Sequence, residues 1–278
     1  MPDSASLTKR DALPFVDTWM NYAGDIKGRA RVDVPDWSKT NLVLDKRDVR
    51  IYDGRPIRNE LSLDREGFIL ADHHSTIDYE TPDLNTVAET YLKEVAAFLK
   101  QLSGADFVLS QGAGLLRRHA ERANLKGAAG PSRWAHMDYT EYSAHDFVKK
   151  MKGRVEQDLE KCSRFAVLQT WRCISPPPQD NTLVMCDGST IPPQNLIVFD
   201  AVVAPGFEFE SQLCKYDERL RWYYFPNMTE DELLVFKAYD TDHSKWSQPL
   251  HNSADIPGLP ADSVPRCSIE ARLFAFWR

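Results

Sequence analysis

Between residues 84 and 102, apolar side chains recur at helical spacing: Val87, Tyr91, Val95, Phe98, Leu99 and Leu102. Gly104 stands where such a helix would stop. After residue 106 the texture changes to short apolar runs separated by Gly, Pro, Asn and Asp. The runs at 107–109, 134–138, 165–172, 182–186, 196–203, 212–216, 221–225, 233–239 and 269–276 predict strands joined by turns. Two earlier runs, 49–52 and 66–70, lie either side of the turn residues Asp53-Gly54-Arg55-Pro56 and predict two more. A second helix is expected over about 143–161, and Thr229-Glu230-Asp231-Glu232 has an N-cap residue followed by acidic first-turn positions. Many short strands with few helices predict a mainly β chain with flanking helices: a sandwich, a barrel or a jelly roll. Residues 1–45 show no sustained period and are expected to form an arm with little regular structure of its own. Phe15, Trp19, Tyr22 and Trp37 are too apolar for a free tail, so the arm should pack on a single domain spanning 46–278.

Charge and composition narrow the function classes. A formal net charge of -7 over 278 residues, with no basic run, argues against a nucleic-acid partner. The longest apolar run, 195–203, is far below the roughly 18 to 20 residues that span a bilayer. Met1-Pro2-Asp3-Ser4 is polar where a signal peptide would be apolar, so a cytoplasmic location without membrane attachment is expected. The five cysteines, Cys162, Cys173, Cys186, Cys214 and Cys267, include no CxxC pair and are read as reduced packing residues.

One tripeptide changes the picture. In an extended strand, residues two apart share a face, so His136 and Asp138 of His136-Met137-Asp138 can grip one metal ion while Met137 points away. A second histidine would complete a 2-His-1-carboxylate set, which leaves coordination positions open for an organic co-substrate and O2. His243 and His251 both lie downstream; His251 is preferred because His243 sits in the polar turn Asp240-Thr241-Asp242-His243-Ser244. His73, His74 and His119 precede the motif, and His145 falls in the second predicted helix. Beyond His251, Arg266 and Ser268 would share one face of the last strand and could converge on a carboxylate such as that of 2-oxoglutarate. Arg272 is in register with them as a competing anchor, and Glu270 could pair with either arginine. Trp171, Arg172 and Tyr224 are further candidates for a substrate pocket. There is no phosphate-binding loop and no GxSxG elbow, so nucleotide binding and serine hydrolysis are not supported.

Several ordered stretches extend this reading: Asp53-Gly54-Arg55, Asp64-Arg65-Glu66-Gly67-Phe68, Gly104-Ala105-Asp106-Phe107-Val108, His136-Met137-Asp138-Tyr139-Thr140, Gln169-Thr170-Trp171-Arg172, Trp222-Tyr223-Tyr224-Phe225-Pro226-Asn227-Met228-Thr229 and Arg266-Cys267-Ser268-Ile269-Glu270-Ala271-Arg272. Together they resemble the fungal AsaB-like hydroxylase/desaturase group, also called CmcJ-like oxidoreductases, related to non-haem iron and 2-oxoglutarate oxygenases of secondary metabolism. The resemblance runs from about Val49 to Trp277. It implies a double-stranded β-helix (a jelly-roll, cupin-like core), Fe(II) held by His136, Asp138 and His251, and 2-oxoglutarate anchored by Arg266 with Ser268 beside it. O2 and a small-molecule substrate would complete the reaction, which could be hydroxylation, desaturation or ring closure; a homodimer is compatible with this. The alternatives carried forward are an iron dioxygenase that uses no 2-oxo acid and a non-catalytic jelly-roll binding protein.

Overall fold

Strand alternation sorts the chain into two facing layers. In 164–173, the side chains of Gln169, Trp171 and Cys173 go to one side and those of Leu168, Thr170 and Arg172 to the other, as a period of two requires. The computed structural model describes residues 10–77, 84–112, 115–118, 131–245, 247–260 and 263–278. Its elements are β1 (Phe15–Ala23), β2 (Ala30–Asp33), β3 (Leu44–Asp53), β4 (Phe68–Asp72), α1 (Leu84–Ser103), β5 (Phe107–Ser110), β6 (Leu115–Arg118), β7 (His136–Met137), α2 (Glu141–Met151), β8 (Arg164–Cys173), β9 (Asn181–Cys186), β10 (Leu196–Ala204), β11 (Phe207–Cys214), β12 (Trp222–Tyr224), β13 (Glu232–Asp240), β14 (His251–Asp255) and β15 (Cys267–Trp277). The larger sheet runs β1-β3-β12-β9-β14-β7-β11-β10-β2, and the smaller runs β4-β13-β8-β15-β5, with β6 also on β15.

The two sheets face each other as a jelly roll. Trp171, Leu234 and Phe236 of the smaller sheet pack against Leu183, Met185 and Tyr223 of the larger. Side chains of this kind, fully buried, stabilise by roughly 1.5–3 kcal/mol each, so this interior is what holds the layers together. Helix α1 covers the outer face of the smaller sheet through Tyr91, Val95 and Leu99, each with no exposed surface. It stops at Gly104, whose φ of +69° is open to glycine without strain.

Three expectations are corrected. Residues 1–45 are not short of regular structure: β1 pairs with β3 along nine residues and β2 lies parallel to β10. A boundary at residue 45 falls inside β3. The far end of β1 bridges Trp134 through Asn21, and the Ala135 N–H donates to the Asn21 carbonyl at 2.9 Å. This carries Met20 and Tyr22 onto the outer face of the larger sheet, beside Met137, Val184, Trp222 and Tyr224. The second helix ends at Met151 rather than near 161, because Gly153 at φ +73° turns the chain. A 3-10 turn, Leu159–Lys161, is all that remains of its predicted second half. Finally, 229–232 starts no helix. The Glu232 carboxylate accepts from Arg55 at 2.7 and 2.8 Å and from the Thr229 N–H at 3.1 Å, and Glu232 opens β13.

Candidate metal and co-substrate site

Register brings the two histidines together. His251 of β14 is the antiparallel Cα partner of His136 of β7, so both side chains leave the same face of the sheet, and their ring centroids lie 4.2 Å apart. Asp138 follows two residues after His136 on the same side. The Asp138 backbone is pinned from behind, where Ser211 Oγ donates to its carbonyl at 2.9 Å. Thr140 then caps α2: its hydroxyl accepts from the Ser143 N–H at 3.1 Å while its own N–H donates to Ser143 Oγ at 2.9 Å. The segment carrying His136 and Asp138 is therefore clamped at once by β11, β14 and a helix start.

One donor atom from each of His136, Asp138 and His251 lies within 4.8 Å of the others, and all three residues are buried. His136 Nε2 is 3.5 Å from Asp138 Oδ1, and His251 Nε2 is 3.8 Å from Asp138 Oδ2. His136 Nδ1 lies 2.9 Å from the Trp134 carbonyl, an arrangement that puts the ring hydrogen there and leaves Nε2 as a lone-pair donor. Burial, then the neighbouring His136, pushes the His251 imidazole down to about 3, so it is neutral near pH 7, as a metal ligand must be. Burial works to raise the Asp138 carboxyl, but Arg272 beside it and the two histidines hold it well below the usual carboxylate range. Two imidazoles and one carboxylate, converging on one buried point, fit a divalent transition metal such as Fe(II).

A second polar group lies on the facing sheet. The Arg266 guanidinium lies over the Trp171 ring at 5.5 Å and donates through Nη1 to Asn181 Oδ1 at 3.0 Å. Trp171 Nε1 and Ser253 Oγ, which border the same cavity, and Ser268 Oγ, two residues along the chain from Arg266, are buried without a hydrogen-bond partner among the described residues. Donors and hydroxyls left open beside a buried guanidinium suit a carboxylate-bearing ligand, which would satisfy them. Trp171, Ser253, Arg266, His136, Asp138 and His251 line one cavity.

The other predicted residues separate. Trp171 faces the cavity, but Arg172, next in the strand, faces the other way and is corrected. Its guanidinium donates to the His73 carbonyl at 2.7 Å and to that of Glu230, and lies 5.5 Å from the Tyr91 ring under α1. Tyr224 is corrected likewise, since it packs on the outer face of the larger sheet with Ile51 and Trp222. Arg272 lies in the cavity but is committed to Asp138, through Nη2 at 2.8 Å and Nε at 3.2 Å. His243 is exposed on a 3-10 turn, His145 Nε2 faces Tyr239 Oη at 3.0 Å, and His74 pairs at the surface with Asp231. His119 lies outside the described residues. Gln169 and Ser253 were not anticipated. Alternation from Trp171 and His251, two residues away in each case, could have found both.

The oxidoreductase/YMDC permease-like domain matches residues 19–276. The Fe(II)/2-oxoglutarate-dependent dioxygenase nvfI of Aspergillus novofumigatus (strain IBT 16806) is 28% identical over 253 residues, covering 87% of each chain. The hydroxylase/desaturase efuI of Hormonema carpetanum is 26% identical over 288 residues, covering 95% of this chain and 96% of that one. A solved structure of the iron and alpha-ketoglutarate-dependent endoperoxidase NvfI superposes with a TM-score of 0.81, over 95% of this chain and 98% of that one, at 25% identity. No helix among the described residues is long and apolar enough to cross a membrane.

Proposed function

The chain belongs to the oxidoreductase/YMDC permease-like domain family and is an Fe(II)- and 2-oxoglutarate-dependent oxygenase, and we propose that His136, Asp138 and His251 hold its iron while Arg266 and Ser268 anchor its co-substrate. Its substrate is a small molecule of fungal secondary metabolism, oxidised by hydroxylation, desaturation or ring closure according to how it is held. The observation that carries the residue assignment is the cross-strand pairing of His251 with His136, which brings three ligand-type side chains to one buried point.

When bound, the iron supplies the centre at which O2 and 2-oxoglutarate react, yielding succinate, CO2 and the oxidising equivalent spent on the substrate. The chain's own residues prepare for this. The Trp134 carbonyl fixes the His136 tautomer, and burial keeps His251 neutral. Arg266 offers a planar fork and Ser268 a hydroxyl to the far carboxylate of the 2-oxo acid. Trp171 and Phe236 wall the cavity with apolar surface that excludes water from the reacting centre. No two of the five cysteines form a disulfide, which fits a reducing compartment in which iron stays ferrous. The net charge of -7 fits a partner other than nucleic acid.

Anaerobic addition of Fe(II) and 2-oxoglutarate, with the His251→Ala variant alongside, tests the reading. A weak visible charge-transfer band in the wild type that vanishes in the variant is the expected result. Iron binding without a band would move Arg266 to the substrate and leave a 2-oxo-acid-independent enzyme. A chain that takes up no iron would sink the metal assignment altogether.

A further inference from the structure

Arg272 was a competing anchor for the co-substrate by its place on β15, yet it faces a metal ligand instead. Asp138 Oδ2 accepts from Gln169 Nε2 at 2.6 Å, Arg272 Nη2 at 2.8 Å and Arg272 Nε at 3.2 Å. Three N–H donors on one carboxylate oxygen use its acceptor capacity in full. The other oxygen, Oδ1, is turned toward His136 Nε2 at 3.5 Å. The arrangement is built from adjacent strands: Arg272 of β15 is the Cα partner of Gln169 of β8, so the two side chains approach Asp138 from one face. Glu270, two residues before Arg272 on that face, accepts from Arg272 Nη2 at 3.3 Å.

Resting on the iron-oxygenase reading, we propose that Arg272, with Gln169 and braced by Glu270, is a positioning group that makes Asp138 a one-oxygen ligand and so keeps a coordination position open for the 2-oxo acid. A carboxylate can offer a metal one oxygen or two. With Oδ2 held by three donors, only Oδ1 is left to give, and the position that Oδ2 would have filled stays available. Glu270 serves a separate need. A lone guanidinium in this cavity would repel a divalent cation, and the adjacent carboxylate cancels that charge while leaving the donors in place. The guanidinium places two donors, Nε and Nη2, on that one oxygen in a fixed geometry, where the flexible ammonium of a lysine would not hold them.

The test uses the whole chain with Co(II) as a redox-silent probe, read by its visible d–d absorption, and then titrates in either 2-oxoglutarate or pyruvate, a 2-oxo acid without a far carboxylate. For Arg272→Gln the expected outcome is retained Co(II) binding with an altered d–d spectrum. Affinity for both 2-oxo acids should fall by about 10-fold or more relative to wild type, the scale seen when outer partners of a ligand are removed. Arg272→Lys should fall between the two. Gln169→Met, which removes one donor without stranding a charge, should move the spectrum the same way by less, and it decides the matter if Arg272→Gln does not fold. A loss confined to 2-oxoglutarate, with pyruvate unaffected, would make Arg272 a carboxylate anchor and overturn the proposal. Wild-type spectra and affinities in both Arg272→Gln and Gln169→Met would overturn it too. If the wild type itself takes up no Co(II), the functional reading fails first and this inference falls with it.

Discussion

Two buried ionic clusters sit back to back across the smaller sheet, and they differ in how far they are completed. On the outer face, Lys237 Nζ donates to Asp64, to Asp240 Oδ2 at 3.0 Å and to the Lys245 carbonyl at 2.5 Å. Asp240 also accepts from Arg164, through Nε at 2.8 Å and Nη2 at 2.6 Å. All three ammonium hydrogens and both carboxylate oxygens are used. On the inner face the Asp138–Arg272–Gln169 group is just as tightly tied, but it shares its cavity with Trp171 Nε1, Ser253 Oγ and His251 Nδ1, all buried without partners among the described residues. A finished network is a structural element, because every desolvated group has recovered its hydrogen bonds. An unfinished one costs stability in the absence of ligand, so its presence points to binding.

The comparison breaks or holds first on paired substitutions. His136→Ala should reduce succinate release by at least about 10³-fold, the scale of losing the metal's contribution, while the far-UV circular dichroism stays that of the folded chain. Asp240→Asn should do the reverse. It leaves Lys237 and Arg164 without their buried counter-charge and should cost about 3–5 kcal/mol in denaturant unfolding, with Co(II) affinity of the folded protein unchanged. If Asp240→Asn abolished turnover under conditions where it stays folded, or His136→Ala unfolded the chain, the division between a structural and a functional cluster would fail.

Why the sequence exposes one cluster better than the other follows from range. His136 and Asp138 are legible because the i, i+2 rule is local. His251 could be chosen over His243 from turn chemistry, but the cause of its proximity, a cross-strand register, is a long-range pairing that no local pattern encodes. Alternation decides other positions as well. Trp171 and Arg172 cannot both face a cavity from one strand, and Tyr223 facing inward requires Tyr224 to face out. The same rule applies in β1, where Met20 and Tyr22 are buried while Trp19 and Asn21 are partly exposed. The charges and proline around it hid that period, since the strand is an edge with one face toward solvent. At Glu232 a local helix-start signal lost to a distant partner, Arg55.

A finer test separates the two arginines of β15. Arg266→Lys keeps a charge near the co-substrate but loses the fork. It should weaken 2-oxoglutarate binding by about 10- to 100-fold, the equivalent of the roughly 1.5–3 kcal/mol carried by hydrogen bonds to charged groups. Pyruvate, lacking the far carboxylate, should bind nearly as it does to the wild type. Equal losses for both acids would mean that Arg266 acts on the metal centre, as Arg272 is inferred to do.

The smallest effect is the sharpest in sign. Ser268 has no exposed surface, and its hydroxyl has no partner among the described residues. In the ligand-free protein that hydroxyl is a desolvated polar atom with nothing returned, so Ser268→Ala should leave stability unchanged or raise it by up to about 1 kcal/mol. The same change should weaken 2-oxoglutarate binding by about 3- to 10-fold, since the anchor loses one neutral hydrogen bond of about 0.5–1.5 kcal/mol. Denaturant unfolding without ligand, run beside a 2-oxoglutarate titration of the Co(II) form, reads both signs on one preparation. A destabilised variant that binds the 2-oxo acid normally would show that the hydroxyl belongs to the fold. A stabilised variant that binds it less well would show that the open hydroxyl of Ser268 is maintained for a ligand.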